Sequence, residues 1–258
     1  MKLQNVAAIV TGGGSGLGKA TALALAEAGA KVAVFDLNAQ AGETVAHQVR
    51  GVFCETNVTA DGSVEAAFAK ARSAHGQERI LINCAGVGSG MKVVSRDRSG
   101  AIRQFPADDF NRVIQVNLVG TFRCTAQAAA GMLTLEQTQS GERGVVVNTA
   151  SIAAEDGQIG QAAYAASKGG IASLTLPLAR DLASQGIRVN AVLPGIFDTP
   201  LMATVGEKIR EALVGNIPFP QRFGEPAEFA SLVIEICRNP YFNGENVRLD
   251  GALRLGPR

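Results

Sequence analysis

Short runs of apolar and β-branched residues recur along the chain, and they are continuous rather than alternating. Continuous apolar runs are typical of strands buried on both faces of a parallel sheet. Seven runs fit this pattern: VAAIV from residue 6, KVAVF from 31, GVFCE from 51, ILIN from 80, GVVVNTAS from 144, IRVNAVL from 187 and NVRLDG from 246. Between the runs, apolar residues at helical spacing predict helices over 19–30 and 62–76, each with a glycine near its end. This alternation predicts an α/β fold, with a doubly wound parallel sheet of about seven strands and helices on both faces.

Two longer segments interrupt the alternation, at 87–107 and 196–224. The first carries the basic residues Lys92, Arg96, Arg98 and Arg103, and the second is rich in Leu, Ile, Pro and Phe. Loops of this length inside a domain are more often functional than structural. No repeat or linker composition divides the chain, so residues 1–258 are expected to form one domain.

The composition argues against several classes of binding partner. The formal net charge is +1 and no block of like charges occurs, which argues against nucleic acid or an anionic membrane as a partner. The four cysteines are scattered and there are only two histidines, so neither a disulfide framework nor a metal site is expected. No apolar stretch reaches the roughly 18 residues that a membrane span requires. A soluble, cytoplasmic protein is predicted.

The stretch TGGGSGLGKAT, residues 11–21, follows the first predicted strand and leads into a helix. Glycines let the backbone approach an anion, and a helix N-terminus offers unpaired N–H groups, so this is a candidate phosphate cradle. It nearly matches the P-loop of nucleoside triphosphatases, but Ala20 lacks the hydroxyl that would hold Mg²⁺. The glycines that frame the turn are Gly12, Gly16 and Gly18, spaced G-x-x-x-G-x-G rather than in the common dinucleotide pattern G-x-G-x-x-G.

Asp36 decides between the two nucleotide classes. It ends the second predicted strand, about 20 residues beyond the glycines, where a carboxylate can bind the adenosine ribose hydroxyls. The same carboxylate would repel a 2′-phosphate, and the following LNAQ contains no cation, so NAD is favoured over NADP. The alternative interpretation is an ordinary helix-capping aspartate.

Tyr164 and Lys168 are an i, i+4 pair, which on a helix places both side chains on one face. A free phenol has a pKa of about 10, and a nearby ammonium favours the phenolate, so Lys168 is expected to lower the pKa of Tyr164. Tyr164 would then exchange a proton with an alcohol or a carbonyl. The alternative is an exposed pair on a helix surface.

Two further polar residues stand in places that favour a site. Ser151 follows the strand run that begins at 144, at the carboxyl end where open α/β sheets bind ligands. Asn117 lies on the apolar stripe of a predicted helix, so its amide is expected to be buried and to need partners. A satisfied core asparagine is an equal alternative for Asn117.

Taken in order, these motifs resemble the short-chain dehydrogenase/reductase family. The matching pieces are TGGGSGLG (11–18), NCAG (83–86, where the family usually has N-N-A-G), VN (116–117), Ser151, YAASK (164–168) and PGIFDTP (194–200). Within that family, the chain is similar over nearly its whole length to the group of 17β-hydroxysteroid dehydrogenases type 10, also called type II 3-hydroxyacyl-CoA dehydrogenases.

The resemblance implies a Rossmann domain that binds NAD and interconverts a secondary alcohol and a ketone. Tyr164 would be the general acid/base, Lys168 would lower its pKa and bind the nicotinamide ribose, and Ser151 would polarise the carbonyl. Asn117 would hold a water linked to Lys168.

The family's cofactor site carries over to seventeen positions of this chain. They are Gly12, Ser15, Gly16, Leu17, Gly18, Asp36, Asn57, Val58, Cys84, Ala85, Gly86, Tyr164, Lys168, Pro194, Gly195, Phe197 and Thr199. Asn57 stands where the family commonly has Asp, near the expected adenine edge, and an amide there is still expected to support binding. No metal is implied.

The substrate side is less sharply defined. Residues 196–224 are expected to form an apolar lid, whose apolar residues are Leu201, Met202, Ile209, Leu213, Ile217 and Phe219, and an apolar lid indicates an apolar substrate. Substrate contacts are expected from Ser151, Gln158, Gln161 and Tyr164. The basic residues of 87–107 either meet coenzyme A phosphates or belong to a charged surface loop.

Three functions remain open. They are a 3-hydroxyacyl-CoA dehydrogenase, a dehydrogenase of a hydroxysteroid or another apolar secondary alcohol, and a catalytically silent NAD-binding scaffold. The resemblance also implies a homotetramer.

Overall fold

Seven parallel strands form the central sheet of the computed structural model, which describes residues 1–203 and 205–257, with only the backbone described at Leu201 and Ala203. The strands are β1 (Ala7–Thr11), β2 (Lys31–Asp36), β3 (Val52–Glu55), β4 (Ile80–Asn83), β7 (Gly144–Thr149), β8 (Ile187–Pro194) and β9 (Asn246–Leu249). Their order in space is β3-β2-β1-β4-β7-β8-β9, and each neighbouring pair is parallel. All seven predicted strands and the parallel doubly wound sheet are confirmed.

The helices connect these strands. They are α1 (Gly16–Glu27), α2 (Ala39–Gln48), α3 (Asp61–His75), α4 (Ala107–Ile114), α5 (Gly120–Met132), α6 (Ala162–Ala183), α7 (Pro200–Ala203), α8 (Glu207–Gly215) and α9 (Pro226–Arg238). The predicted helices over 19–30 and 62–76 correspond to α1 and α3. The first begins three residues earlier than predicted, because the last part of the glycine loop is already the first turn of α1.

The continuous apolar runs are explained by a core on each face of the sheet. In β1, Val10 packs into the cluster that holds α9, whereas its neighbour Ile9 packs into the cluster that holds α3 and α5. Successive side chains of a strand point to opposite faces, so a strand covered on both sides must be apolar at every position. The burial pattern of β1 shows this directly, with all five residues buried.

The two interrupting segments contain short elements of their own. Within 87–107, strands β5 (Val94–Arg96) and β6 (Ile102–Gln104) pair as an antiparallel hairpin whose side chains are mostly exposed. Within 196–224, α7 and α8 follow the end of β8. Thr204 and the side chain of Leu201, both inside the predicted lid, lie outside the described residues. Among the residues that the structure describes, no helix is long and apolar enough to cross a membrane.

Candidate active site

A cleft of about 850 Å³ opens at the carboxyl ends of the strands. Its walls come from the glycine loop, the residues that follow β2, β4, β7 and β8, and the 196–224 segment. The strand order reverses between β1 and β4, and in open α/β sheets such a point is where ligands bind. Every predicted site residue except Asn117 lines this cleft.

The glycine loop has a backbone that other residues would not allow. Gly12 and Gly16 adopt φ values of 63° and 51°, in the left-handed region. A methyl group at Gly18 would lie 2.2 Å from the carbonyl oxygen of Gly12, so the helix must carry a glycine where it crosses the loop. Ser15 is the N-cap of α1, and its hydroxyl makes no capping hydrogen bond. The first turn of α1 therefore keeps its N–H groups for an anion in the cleft.

Asp36 stands at the end of β2 and faces this loop. Its Oδ2 accepts a hydrogen bond of 2.8 Å from the N–H of Gly14, and its Oδ1 accepts one of 2.9 Å from the N–H of Asn38. The N-cap of α2 is Asn38, whose side chain accepts from the N–H of Ala41. Asp36 is thus not the capping residue of the following helix, and its carboxylate borders the cleft.

Asn57 is engaged in a local turn. Its Oδ1 accepts hydrogen bonds from the N–H and the hydroxyl of Thr59, at 3.0 and 2.8 Å. Both bonds need only an acceptor oxygen, which an aspartate would also supply, so the departure from the family pattern leaves the turn intact. The next residue, Val58, is buried and packs against Gly120. A methyl group added at Gly120 would lie 2.8 Å from the Val58 side chain.

The residues after β4 pack directly against the glycine loop. The N–H of Ala85 donates to Oγ1 of Thr11 at 3.2 Å, and a methyl at Gly12 would lie 2.7 Å from the Ala85 nitrogen. Thr149 donates a hydrogen bond of 3.3 Å to the Cys84 sulfur. Burial raises the pKa of Cys84 to about 11, so its thiol is neutral at physiological pH. Among the described residues, no group of three potential metal ligands is found.

Lys168 is a buried ammonium at the centre of the site. It projects from α6, and its Nζ donates a 2.6 Å hydrogen bond to the carbonyl oxygen of Thr149, at the end of β7. Burial lowers the pKa of Lys168 to about 8, an effect that the nearby Cys84 partly opposes. The Nζ lies 5.8 Å from the ring centre of Tyr164. The side chain therefore remains mostly charged at neutral pH.

Tyr164 and Ser151 both line the cleft, and Ser151 acts on the pKa of Tyr164. Burial raises the pKa of Tyr164, and the hydrogen bond with Ser151 opposes this rise. The expectation that Lys168 would bring this pKa down is not met in the structure, because removal of the phenol from water is the larger effect. Ser151 itself is fixed at the end of β7, where its Oγ accepts a 3.1 Å hydrogen bond from the N–H of Ala153.

Asn117 is fully buried one layer behind the cleft. It lies in a π-helical turn, Gln115–Val119, that joins α4 to α5 where the sequence pattern predicted a regular helix. Its Oδ1 accepts from the N–H of Val87 at 2.8 Å, and its Nδ2 donates to the Val87 carbonyl at 2.9 Å and to the Ser167 hydroxyl at 3.0 Å. A methyl at Gly86 would lie 3.3 Å from the Asn117 Oδ1 and 3.6 Å from the Lys168 Nζ, so both atoms border one space. Such π turns are frequent at functional sites.

Two predicted substrate residues sit in the turn before α6. The N–H of Gln158 donates to the Gln161 Oε1 at 3.1 Å, which fixes the turn. The Gln158 Nε2 donates to the carbonyl oxygen of Gly256 at 3.2 Å, so this amide also binds a remote part of the chain. Both residues line the cleft.

The 196–224 segment begins with residues that close the cofactor side. Phe197 is buried, its ring packs edge-to-face on Phe229 at 6.3 Å, and Thr199 lies against Gly16. Farther along, Met202, Ile209 and Leu213 line the cleft. Neither Ile217 nor Phe219 lines the cleft: Ile217 is buried, and Phe219 is 82% exposed.

Sequence reasoning missed several residues that hold the site together. Asn83 donates to Thr125 and to Asn148, which ties the ends of β4 and β7 together, and Thr149 binds both Lys168 and Cys84. The position of Thr149, two residues before Ser151 at a strand end, was a signal that could have found it. Leu255 also lines the cleft, and its distance along the chain offered no signal.

Comparison with known proteins agrees with this geometry. Residues 6–210 match the short chain dehydrogenase family. The chain is 48% identical over 257 residues to the 3-hydroxyacyl-CoA dehydrogenase type-2 of Drosophila melanogaster, covering 99% of this chain and 100% of that protein. It is 45% identical to the protein of the same name from Homo sapiens, covering 99% of this chain and 97% of the human protein.

A solved structure is similar to this chain over nearly its whole length. The crystal structure of 3-hydroxyacyl-CoA dehydrogenase type-2 from Mycobacterium avium is similar with a TM-score of 0.92 and 42% sequence identity, over 98% of each chain. The chain belongs to the short-chain dehydrogenase family. It is therefore an oxidoreductase that uses a nicotinamide cofactor.

Proposed function

We propose that this protein interconverts 3-hydroxyacyl-CoA and 3-ketoacyl-CoA thioesters with NAD as its cofactor. The observation that carries the proposal is the cluster of Ser151, Tyr164 and Lys168 in a cleft that apolar residues of the 196–224 segment also line. The names of the relatives in Drosophila melanogaster, Homo sapiens and Mycobacterium avium support the thioester substrate.

The residues of the cleft fit a dinucleotide. The glycine loop leaves a cradle that side chains would fill, α1 directs its first turn toward it, and Asp36 offers an acceptor for ribose hydroxyls. The same carboxylate favours NAD over NADP, because it would repel a 2′-phosphate. When bound, the nicotinamide accepts or supplies the hydride.

The chain's own residues handle the proton and the oxygen. Tyr164 gives its phenolic proton to the forming alkoxide during reduction and takes it back during oxidation. The Ser151 hydroxyl binds the same substrate oxygen and holds it at the phenol. Lys168, anchored on the Thr149 carbonyl, places a positive charge near the phenol, with its Nζ 5.8 Å from the centre of the Tyr164 ring. Asn117 orders the space that borders the Lys168 ammonium, where a water would carry the proton onward.

The apolar wall supports an apolar substrate. Met202, Ile209 and Leu213 line the same cleft as Ser151 and Tyr164, and an acyl chain would lie against them. We take residues 1–258 as one domain in which 196–224 serves as the substrate lid. Gln158 and Gln161 supply amides to the cleft.

We further propose a cytoplasmic homotetramer. A shallow apolar groove between α5 and α6, lined by Leu118, Phe122 and Leu174 among others, supports burial against a second copy. Phe122 is 47% exposed in the single chain, and association would cover it. The four cysteines are unpaired thiols, as suits a reducing compartment.

The direct test is loss of NADH absorbance with acetoacetyl-CoA, compared with a keto-steroid and a simple aryl ketone at matched concentration. Fast and selective loss with the thioester is expected. Loss with only the other ketones would keep the dehydrogenase chemistry and overturn the thioester, and a repeat with NADPH tests the cofactor preference.

A further inference from the structure

The segment 252–257 forms part of the substrate side of the cleft, although Gly256 is 98 residues along the chain from Gln158, its partner in the turn before α6. Leu253 is 1% exposed and packs with Ile152, directly after Ser151. Leu255 is half-buried and lines the cleft. Leu253 thus anchors the segment in the core, whereas Leu255 presents an apolar side chain to the cleft.

Leu255 belongs to the same apolar cluster as the lid. It packs against the buried residues Ile152, Ile217, Phe223 and Leu253, and Met202, Leu213 and Val214 of the 196–224 segment pack against the same buried residues. Leu255, Met202 and Leu213 therefore share one buried support and all line the cleft. An acyl chain that extends from a carbonyl at Ser151 and Tyr164 along the lid would meet Leu255.

Hydrogen bonds hold the segment against the turn that precedes α6. The N–H of Ile159 donates to the Pro257 carbonyl at 3.0 Å, and the Gln158 side chain donates to the Gly256 carbonyl at 3.2 Å. The N–H of Leu255 donates to the Asp156 Oδ2 at 3.4 Å. Leu255 is therefore held by its own N–H and by the two residues that follow it.

Arg248, in β9, joins these parts through a largely buried ion-pair cluster. Its guanidinium binds Glu155, lies 2.7 Å from the Asp156 Oδ2 and 2.7 Å from the Asp250 Oδ2, and donates to the Leu253 carbonyl at 3.0 Å. Arg248 is only 17% exposed and Asp250 only 8%. One planar cation thus connects the loop after Ser151 with the segment that carries Leu255, and an arginine fork suits such a junction better than a lysine.

We propose that Leu255 is a specificity-determining residue that contacts the acyl chain of the substrate, and that Arg248 is the positioning residue that holds it there. This inference rests on the proposed thioester substrate. It predicts discrimination by acyl length, since a short acyl group ends before Leu255 and a long one reaches it.

Calorimetry with non-reacting ligands tests the contact without relying on turnover. Butanoyl-CoA and decanoyl-CoA, which carry no 3-oxygen, are titrated into the protein saturated with NADH. In Leu255→Ala, affinity for decanoyl-CoA is expected to fall about fourfold for each methylene that is no longer covered, with butanoyl-CoA unchanged. Leu255→Met, which conserves volume, is expected to keep the ratio of the two affinities.

Arg248 is tested through the same ratio. Arg248→Met is expected to reproduce the selective weakening for decanoyl-CoA, and the double variant with Leu255→Ala is expected to add little, because both changes act on one contact. Arg254→Met is the matched control. Arg254 also pairs with Asp250 but has no bond to Glu155 or Asp156 among the described residues, so the ratio should stay at the parent value.

The inference is overturned if Leu255→Ala leaves the ratio within twofold of the parent, or weakens both thioesters equally. It is also overturned if the parent binds neither thioester. If the parent binds both with the predicted selectivity but does not oxidise NADH with acetoacetyl-CoA, the proposed activity fails and the acyl contact stands. Should Arg248→Met not fold, the Leu255 pair alone decides the contact.

Discussion

The two sides of the cleft are built in different ways. On the cofactor side, the glycine loop and Asp36 lie in the first two strands and the helix between them, and the bond between Gly14 and Asp36 joins residues 22 apart. This side relies on backbone N–H groups and on the absence of side chains, and Ala85 packs on it from farther along the chain. On the substrate side, Gln158 and Gly256 are 98 residues apart, and Asp156 and Arg248 are 92 apart. A cofactor shared by many enzymes is bound by a local backbone motif, whereas the substrate is bound by side chains that only the folded chain assembles.

Tyr164 stands where the two sides meet, and its replacement is expected to have the largest effect. Tyr164→Phe removes the proton donor but keeps the ring, so kcat should fall by about 10²–10⁴ while NADH binding is retained. Turnover is followed by NADH absorbance and binding by NADH fluorescence. Tyr241→Phe is the matched control, because the second tyrosine of the chain is 97% exposed. Parent-like turnover in Tyr164→Phe would refute the proposed mechanism.

The stability of the protein is expected to depend on pH through Lys168, which lies near Tyr164. Its pKa is about 8 in the folded chain and near the ordinary 10.5 when unfolded, so below pH 8 folding must bury a charged group. Between pH 8 and 10.5 the folded state loses this proton first, and stability relative to Lys168→Met should rise with pH by about 3 kcal/mol.

Chemical denaturation of both proteins at pH 7 and pH 10 measures this change. Lys70→Met, at an exposed position of α3, controls for loss of a lysine charge. A constant difference between the parent and Lys168→Met across this range would show that burial does not govern the Lys168 ammonium.

Gly18→Ala is expected to weaken both the fold and cofactor binding. Its methyl would lie 2.2 Å from the Gly12 carbonyl, and such overpacking costs about 1–3 kcal/mol of stability. NADH affinity should fall as the loop shifts. Gly62→Ala on α3 is the control, since its methyl would meet nothing within 4 Å. Equal NADH affinity in the two variants would show that cofactor binding does not require a glycine at position 18.

Asp36→Asn should change the choice of cofactor more than the fold. The amide keeps one acceptor oxygen, for either Gly14 or Asn38, and loses the second acceptor together with the charge that favours ribose hydroxyls, so NADH affinity should fall about tenfold. The ratio of NADPH to NADH affinity should rise, because the repulsion of the 2′-phosphate is removed. An unchanged ratio, measured by fluorescence titration, would assign Asp36 a purely structural role.

Asn57→Asp restores the residue that the family commonly has and should have the smallest effect. The Asn57 oxygen serves as an acceptor for Thr59, and aspartate provides the same acceptor. NADH affinity is expected to change less than about twofold. A large gain would show that the carboxylate binds the adenine side and that this chain lacks the contact.

The sequence predicted the features that depend on neighbouring residues, and it did not predict those that depend on contacts between distant residues. Apolar runs predicted all seven strands, since burial on both faces leaves a continuous pattern in each short stretch. The glycine loop, Asp36, Ser151 and the Tyr164–Lys168 pair were predicted from motifs that lie within one strand, turn or helix, and the structure places them together in the cleft. These features depend on local geometry, which neighbouring residues determine.

Other features arose only from tertiary contacts. The π turn around Asn117 depends on partners at Val87 and Ser167, and the pKa of Tyr164 is raised by surroundings that its helix does not supply. Leu255 reaches the cleft because Arg248 and the turn before α6 hold its segment there. Burial and hydrogen bonding across such distances depend on how the whole chain packs, and a local pattern carries no record of which remote residues will meet.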